Sequence, residues 1–365
     1  MVPLQASPAQ VAPPAAVQPQ PTGRIPSLDG LRAVSIALVL IWHLSAHSRT
    51  IPFYQHQIDL GFAGVSFFFV ISGFIITTLM RKESDSTGTV SLRNFYLRRV
   101  FRIVPALATF LAGVWVLMKL NLAPAASAGE MLRGFFFVGD YVLPKSESLV
   151  HLWSLSVEEQ FYILWPLAFV LLFRRNPVRI ATAVMLLSPI SRIFWWRMNA
   201  SFFATDWHFE SVADAIAIGC LLALKRKDWQ QNRWYSLVTQ TRWAALLPLI
   251  ALLACATSTR PLLYNAIGKS VLFLSAALII DAVISRPGTL AGRLLNTRAA
   301  VALGGLSYSL YLWQQPFTMA PARSLAIAWF PVNVIIPLAI AFLSNRLIEL
   351  PAQAYGKRFI ASLAP

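Results

Sequence analysis

Arg32 and His43 stand eleven residues apart inside one long apolar stretch of this 365-residue chain. Eleven helical steps of about 100° return both side chains to one face, about 16 Å apart along the axis. Ionisable groups at membrane depth cost several kcal/mol unless paired or hydrated, so each is a candidate for chemistry. An imidazole exchanges a proton near neutral pH and can act as general base or nucleophile. The bland alternatives are a neutral His43 bonded to a backbone carbonyl and an Arg32 paired with Asp29 one turn earlier.

A second constellation opens another apolar stretch: His151-Leu-Trp153-Ser154-Leu-Ser156-Val-Glu158-Glu159-Gln160-Phe161-Tyr162. A carboxylate here would orient an imidazole and stabilise its protonated form. Capping by Ser154 or Ser156 with Glu158 or Glu159 is the alternative; it accounts for one carboxylate but not for two on different faces. Asp214 either pairs with an intramembrane arginine or acts directly. Glu349, beside Arg346 and Pro351, reads as half of a structural pair. In the run Arg93 to Arg102, Arg98 or Arg99 sits over Arg102 at helical spacing, a grip for anionic phosphates or simply an orientation signal.

The elements that carry these residues are membrane helices. The chain is 57% hydrophobic and 13% charged, against roughly 25% charged residues in soluble domains. Ten segments are long and apolar enough to be read as spans: about 30–48, 60–80, 103–122, 155–173, 180–198, 210–224, 243–257, 265–285, 299–319 and 326–347. The fold class is therefore all-α and polytopic. Loop charge places both termini in the cytoplasm, because Arg81, Lys82, Arg93 to Arg102, Lys225 to Lys227 and Lys357 with Arg358 share one side. The other side receives only Arg49, Arg133, Lys145, Arg260 and Arg323. The net charge of +16 thus follows from scattered loop clusters, which encode orientation and argue against nucleic-acid binding. Cys220 and Cys255 are too few for a disulfide framework or a zinc cluster, so no metal is expected. Residues 1–24, rich in Pro, Ala and Gln, read as a disordered tail ahead of one membrane domain over 25–360.

The motifs resemble those of the acyltransferase type 3 family. They run in family order: Ser27-Leu-Asp29-Gly30-Leu-Arg32 ending in His43; Gly64 to Phe74 with Ser72; Phe95 to Pro105; His151 to Tyr162; and Asp214 to Gly219. Gly305-Leu-Ser307-Tyr308-Ser309-Leu-Tyr311-Leu-Trp313 and Ile348 to Pro351 complete the set. The resemblance implies a ten-helix domain in the bacterial inner membrane that uses cytoplasmic acyl-coenzyme A to modify a carbohydrate or glycolipid acceptor. Lipopolysaccharide O-antigen or exopolysaccharide is the expected acceptor, acetyl-CoA the expected donor and succinyl-CoA the alternative. Arg32 and His43 fall on the family's arginine and histidine pair. Ser66 replaces an often acidic position, Val212 and Ala213 stand where an arginine often precedes Asp214, and Gln314-Gln315 replaces a frequent His-Trp. The hydrolase-like domain fused to some members is not expected here.

The resulting expectation assigns coenzyme A phosphates to Arg98, Arg99 and Arg102, and the inward-threading thioester arm to Arg32. His43, oriented by Glu158 or Glu159, would deprotonate a sugar hydroxyl or carry the acyl group itself. Asp29, Ser72, His151, Trp153, Gln160, Tyr162, Asp214, Ser307, Tyr308 and Tyr311 are the supporting positions. The rival class is a transporter of a small anion or lipid intermediate, which would use the same charges as a path; the missing internal repeats speak against it.

Overall fold

The computed structural model describes residues 25–47, 59–142, 146–172, 176–198, 205–241, 261–319 and 329–363, with isolated positions between 246 and 253. The expected tail 1–24 and most of the expected segment 243–257 lie outside these residues. Among the described residues the secondary structure is helical throughout. In chain order the elements are α1 (Pro26–His47), α2 (Leu60–Thr87), α3 (Leu92–Lys119), α4 (Ala128–Phe135), α5 (Leu152–Leu172) and α6 (Pro177–Arg197). They continue with α7 (Phe209–Gln230), α8 (Arg233–Gln240), α9 (Lys269–Ser285), α10 (Arg298–Thr318), α11 (Val332–Ser344) and α12 (Leu350–Ser362).

Six stretches are apolar and long enough to cross a membrane: Pro26–Ser45, Leu60–Thr87, Leu92–Lys119, Pro177–Arg197, Tyr264–Ser285 and Val332–Ser362. α5, α7 and α10 have 21, 22 and 21 residues, which at 1.5 Å per residue also reaches about 30 Å. Part of their lower hydropathy comes from polar residues buried in the bundle, among them Ser154, Ser156, Asp214, Ser307, Gln314 and Gln315. The protein is a multi-pass membrane protein.

Two segments are longer than the hydropathy pattern suggests. Ser91 caps the N–H of Asn94 and starts α3 ahead of the basic run, so Arg93 to Arg102 are the first turns of the same helix that enters the bundle. α11 passes through a π turn, Asn345–Glu349, into α12, which places Glu349 inside a continuing helix.

α2 is packed on α7, α1 and α9. Lipid tails are as apolar as leucine, so helix association here depends on close van der Waals fit, which small residues permit. A Cβ added at Gly73 would lie 2.0 Å from the Ile216 carbonyl oxygen, and one at Gly219 would lie 2.1 Å from that of Val70. The two glycines thus let α2 and α7 touch backbone to backbone. Gly304 does the same for α10 against α1, where a Cβ would meet the Asp29 carbonyl oxygen at 1.8 Å.

Buried charges join the helices elsewhere. Arg192 of α6 reaches both Asp214 oxygens at 3.0 Å, the Ser211 carbonyl at 2.5 Å and the Asn265 carbonyl at 2.8 Å. Asp214 therefore does have an arginine partner, supplied by the preceding helix and not by the positions just before it. Lys269 is likewise fully buried, donating to Asp206 and to Asn265 Oδ1.

Gly219→Val is expected to destabilise the bundle by about 1–3 kcal/mol, because a backbone carbonyl cannot swing aside as a side chain can. Thermal melting of detergent-solubilised protein by fluorescence-detected size exclusion measures the loss.

Candidate active site

Three cavities line up through the bundle. The first is a vestibule of about 650 Å³ at the Arg32 end, lined by Asp29, Arg32, Arg102, Arg298, Tyr308, Arg346 and Glu349 among others. The second is a narrow chamber of about 90 Å³, whose walls include Arg32, Ser72, Arg99, Arg102, Glu158, Glu159, Tyr162, Ser307, Tyr308 and Tyr311. The third, about 240 Å³, opens at the other end and is lined by Trp42, His43, Asp59, His151, Trp153, Trp207, Tyr311 and Gln315. Arg32, Arg102 and Tyr308 are walls of both the vestibule and the chamber; Val65 and Tyr311 are walls of both the chamber and the outer cavity. α1 borders all three, so Arg32 and His43 line a series of cavities at different depths.

The chamber is organised around Glu158. Its Oε1 accepts from Ser72 at 2.5 Å and from the Tyr162 hydroxyl. The Arg99 guanidinium lies 3.5 Å from the centroid of the Tyr162 ring and interacts with both glutamates. Glu159 is buried with Oε1 unpaired, and the Ser307 hydroxyl is likewise without a partner. Neither glutamate contacts His43. The expected imidazole–carboxylate pair is thus replaced: α5 turns its carboxylates toward the arginines of α3 and α1, a turn of helix away from the outer cavity.

His43 is held instead by Gln314 of α10, with Nδ1 2.9 Å from Gln314 Oε1. Thr318 Oγ1, 3.0 Å from the same oxygen, fixes the amide. With Oε1 assigned to face the ring, Nδ1 carries the proton and Nε2 keeps the lone pair a base requires. Gln315 donates to the Glu147 carbonyl at 2.7 Å and borders the outer cavity. The sequence position where a His-Trp is frequent therefore supplies the orienting group, although nothing in the residue types Gln-Gln announces it.

The arginines also sort differently from the expected phosphate grip. Arg98 pairs with Glu83 at 3.3 Å and is half-exposed. Arg99 is committed to Tyr162. Arg102 faces the vestibule, where Arg32, Arg298 and Arg346 join it from α1, α10 and the π turn. Glu349 accepts from Ser309 at 2.5 Å and from Asn345 at 3.1 Å, so Arg346 is not its partner.

Of the remaining supporting positions, Tyr311 sits between chamber and outer cavity, its hydroxyl 2.5 Å from Ser154 Oγ and 3.1 Å from the His151 carbonyl oxygen. The His151 ring packs edge-on against Phe110 and Tyr311, with Leu312 and Gln315 beside its nitrogens. Trp153 stacks on Trp207. Tyr308 donates to the Ile103 carbonyl at 3.3 Å. Gln160 points away from the passage, donating to the Phe137 carbonyl and to Asp140, both at 2.8 Å. Asp214 is a structural clamp. No group of His, Cys, Asp and Glu suited to a metal occurs among the described residues.

A family model described as an acyltransferase domain matches residues 25–345. The chain belongs to the acyltransferase type 3 family. It is 30% identical to the putative peptidoglycan O-acetyltransferase YrhL of Bacillus subtilis, over 92% of this chain and 56% of that protein. It is 28% identical to the O-acetyltransferase OatA of Staphylococcus aureus, over 93% of this chain and 59% of OatA. The putative O-acetyltransferase SACOL0978 of Staphylococcus aureus is 29% identical over 91% of this chain and 58% of its own length. The chain thus spans a little over half the length of these relatives. No solved structure matches it.

Replacing Gln314 by Leu removes the tether on His43 Nδ1. Acyl transfer is expected to fall by at least about tenfold at unchanged membrane level, since a base must be positioned as well as present. Turnover of the purified variant against wild type measures the effect.

Proposed function

We propose that the protein is an O-acetyltransferase of the bacterial inner membrane that moves an acetyl group from acetyl-CoA to a hydroxyl of a cell-envelope or exported carbohydrate. The observation that carries this reading is the series of cavities: arginines surround its wide end, and a histidine tethered by Gln314 stands at the other. The excess of Lys and Arg in the loops on that side supports a cytoplasmic position for the arginine end, where acetyl-CoA is made.

Arg102, Arg298 and Arg346, free of ion pairs among the described residues, offer the charge-assisted hydrogen bonds that nucleotide phosphates require. The unpaired Glu159 oxygen and Ser307 hydroxyl along the chamber suit the amide groups of a pantetheine arm, because buried polar atoms without partners carry a desolvation penalty that a ligand relieves. Arg32, at the junction, supports the arm as it enters. The thioester then reaches the outer cavity past Tyr311.

There His43 Nε2 takes the proton from the acceptor hydroxyl as that oxygen attacks the thioester carbonyl. The tetrahedral intermediate collapses with departure of the thiolate, and His43 returns the proton to sulfur. Gln314 orients the ring as an amide and supplies no anion to stabilise an imidazolium. That favours brief proton transfer over a long-lived charged histidine. One relative is named as a putative peptidoglycan O-acetyltransferase, so peptidoglycan joins O-antigen and exopolysaccharide among the acceptors to assay.

Two results test the proposal. Cells carrying His43→Ala should have the O-acetyl content of cells lacking the protein, at equal membrane levels. Purified wild type should transfer label from acetyl-CoA to glycan, and an Arg298→Gln, Arg346→Gln double variant should raise the KM for acetyl-CoA by about tenfold or more, as loss of charge-assisted bonds implies. Unchanged glycan acetylation with His43→Ala, or better turnover with succinyl-CoA than with acetyl-CoA, sinks the respective part.

A further inference from the structure

The outer cavity has walls that acyl-group chemistry alone does not call for. Trp153 and Trp207 lie in parallel, with ring centroids 5.4 Å apart and planes 3° from coincidence. Trp42 is pressed against α2 at Gly61, where a Cβ would come within 2.6 Å of the indole. Asp59, the residue before α2, caps the Phe62 N–H at 2.8 Å and borders the same cavity. Burial raises its carboxyl to about 6. His151, only 2% exposed, borders the cavity beside Gln315. Among the described residues lining the cavity there is no lysine or arginine; buried Lys269, paired with Asp206, lies behind Phe62.

Flat indole faces beside hydrogen-bonding groups match one ligand chemistry well. A pyranose ring presents C–H bonds on its faces, which pack on the negative face of an aromatic ring, and hydroxyls on its rim, which donate to a carboxylate. A carboxylate at this place also repels anionic ligands. The cavity, at about 240 Å³, is smaller than the roughly 300–1,000 Å³ of drug-sized sites, which suits a single ring.

Resting on the acyltransferase reading above, we infer that the outer cavity is an acceptor subsite for one uncharged pyranose residue, neutral or N-acetylated. The ring packs on the tryptophans, Asp59 accepts one hydroxyl, and His151 meets another polar group of the sugar. The neighbouring hydroxyl is thereby presented to His43. Uronic acid and phosphorylated residues are excluded from this position, although they can occur elsewhere in an acceptor chain.

The test uses full-length protein in lipid nanodiscs and measures binding by calorimetry. The ligands are methyl glucoside, methyl N-acetylglucosaminide, methyl glucuronide and, separately, acetyl-CoA. Asp59→Asn keeps the helix cap, since asparagine caps as well as aspartate does. Wild type should bind at least one neutral glycoside about tenfold or more tighter than the glucuronide. Asp59→Asn should weaken that neutral glycoside by about tenfold and narrow its advantage over the glucuronide. Trp207→Leu should weaken every sugar that wild type binds. Acetyl-CoA affinity reports separately on the donor end and on folding. Glucuronide binding equal to the neutral sugars, no sugar binding, or undiminished binding by Asp59→Asn overturns the subsite while donor binding stands. Failure of wild type to bind acetyl-CoA overturns the underlying reading, and the subsite with it.

Discussion

Charge in a low-dielectric bundle must be paired or hydrated, and the architecture follows from how each ionisable group meets that demand. One set is paired completely: Arg192 with Asp214, Lys269 with Asp206, and Arg226 with Asp281 at 2.5 Å. These pairs fasten α6, α7 and α9 together. The other set faces cavities: Arg32 and Arg102, the two glutamates of α5, and His43. Packing supplies the shape and charge pairing supplies the register, so the helices that contribute no chemistry hold still the ones that do.

That division separates two readings of an intramembrane acid that are indistinguishable as residue types. Asp214 and Glu158 are both carboxylates on helices of the bundle. Both Asp214 oxygens are met, by Arg192 and Ser270. Glu158 is met on one oxygen by two hydroxyls and faces a cavity. The partner groups, not the acid, decide which is structural.

Much of this was legible in the chain. Apolar length locates most of the helices among the described residues, and the spacing of Arg32 and His43 sets them on one face of α1, because a helix period is a local property. The Glu158–Glu159 pair was recognised as important but assigned the wrong neighbour, since helix rotation in α5 depends on contacts with α2 and α3 that lie far away in sequence. Gln314 was passed over because an amide has no titration signature; only its distance to His43 reveals it. Arg192 lies outside every motif, so the sequence alone does not reveal the partner of Asp214. Trp42, Trp207 and Asp59 meet only when α1, α2 and the segment before α7 are assembled.

Tyr311 has a consequence for the energetics of the whole cell membrane. A passage running from one face of a bilayer to the other is a leak unless something interrupts it, and each elementary charge crossing at 100 mV dissipates about 2.3 kcal/mol. The chamber of about 90 Å³ holds only a short file of water, and the phenol, tied to Ser154 and the His151 carbonyl, stands where that file would continue. A phenol fixed at that junction by two hydrogen bonds interrupts the file, so the cavities at the two ends need not join into one continuous water path.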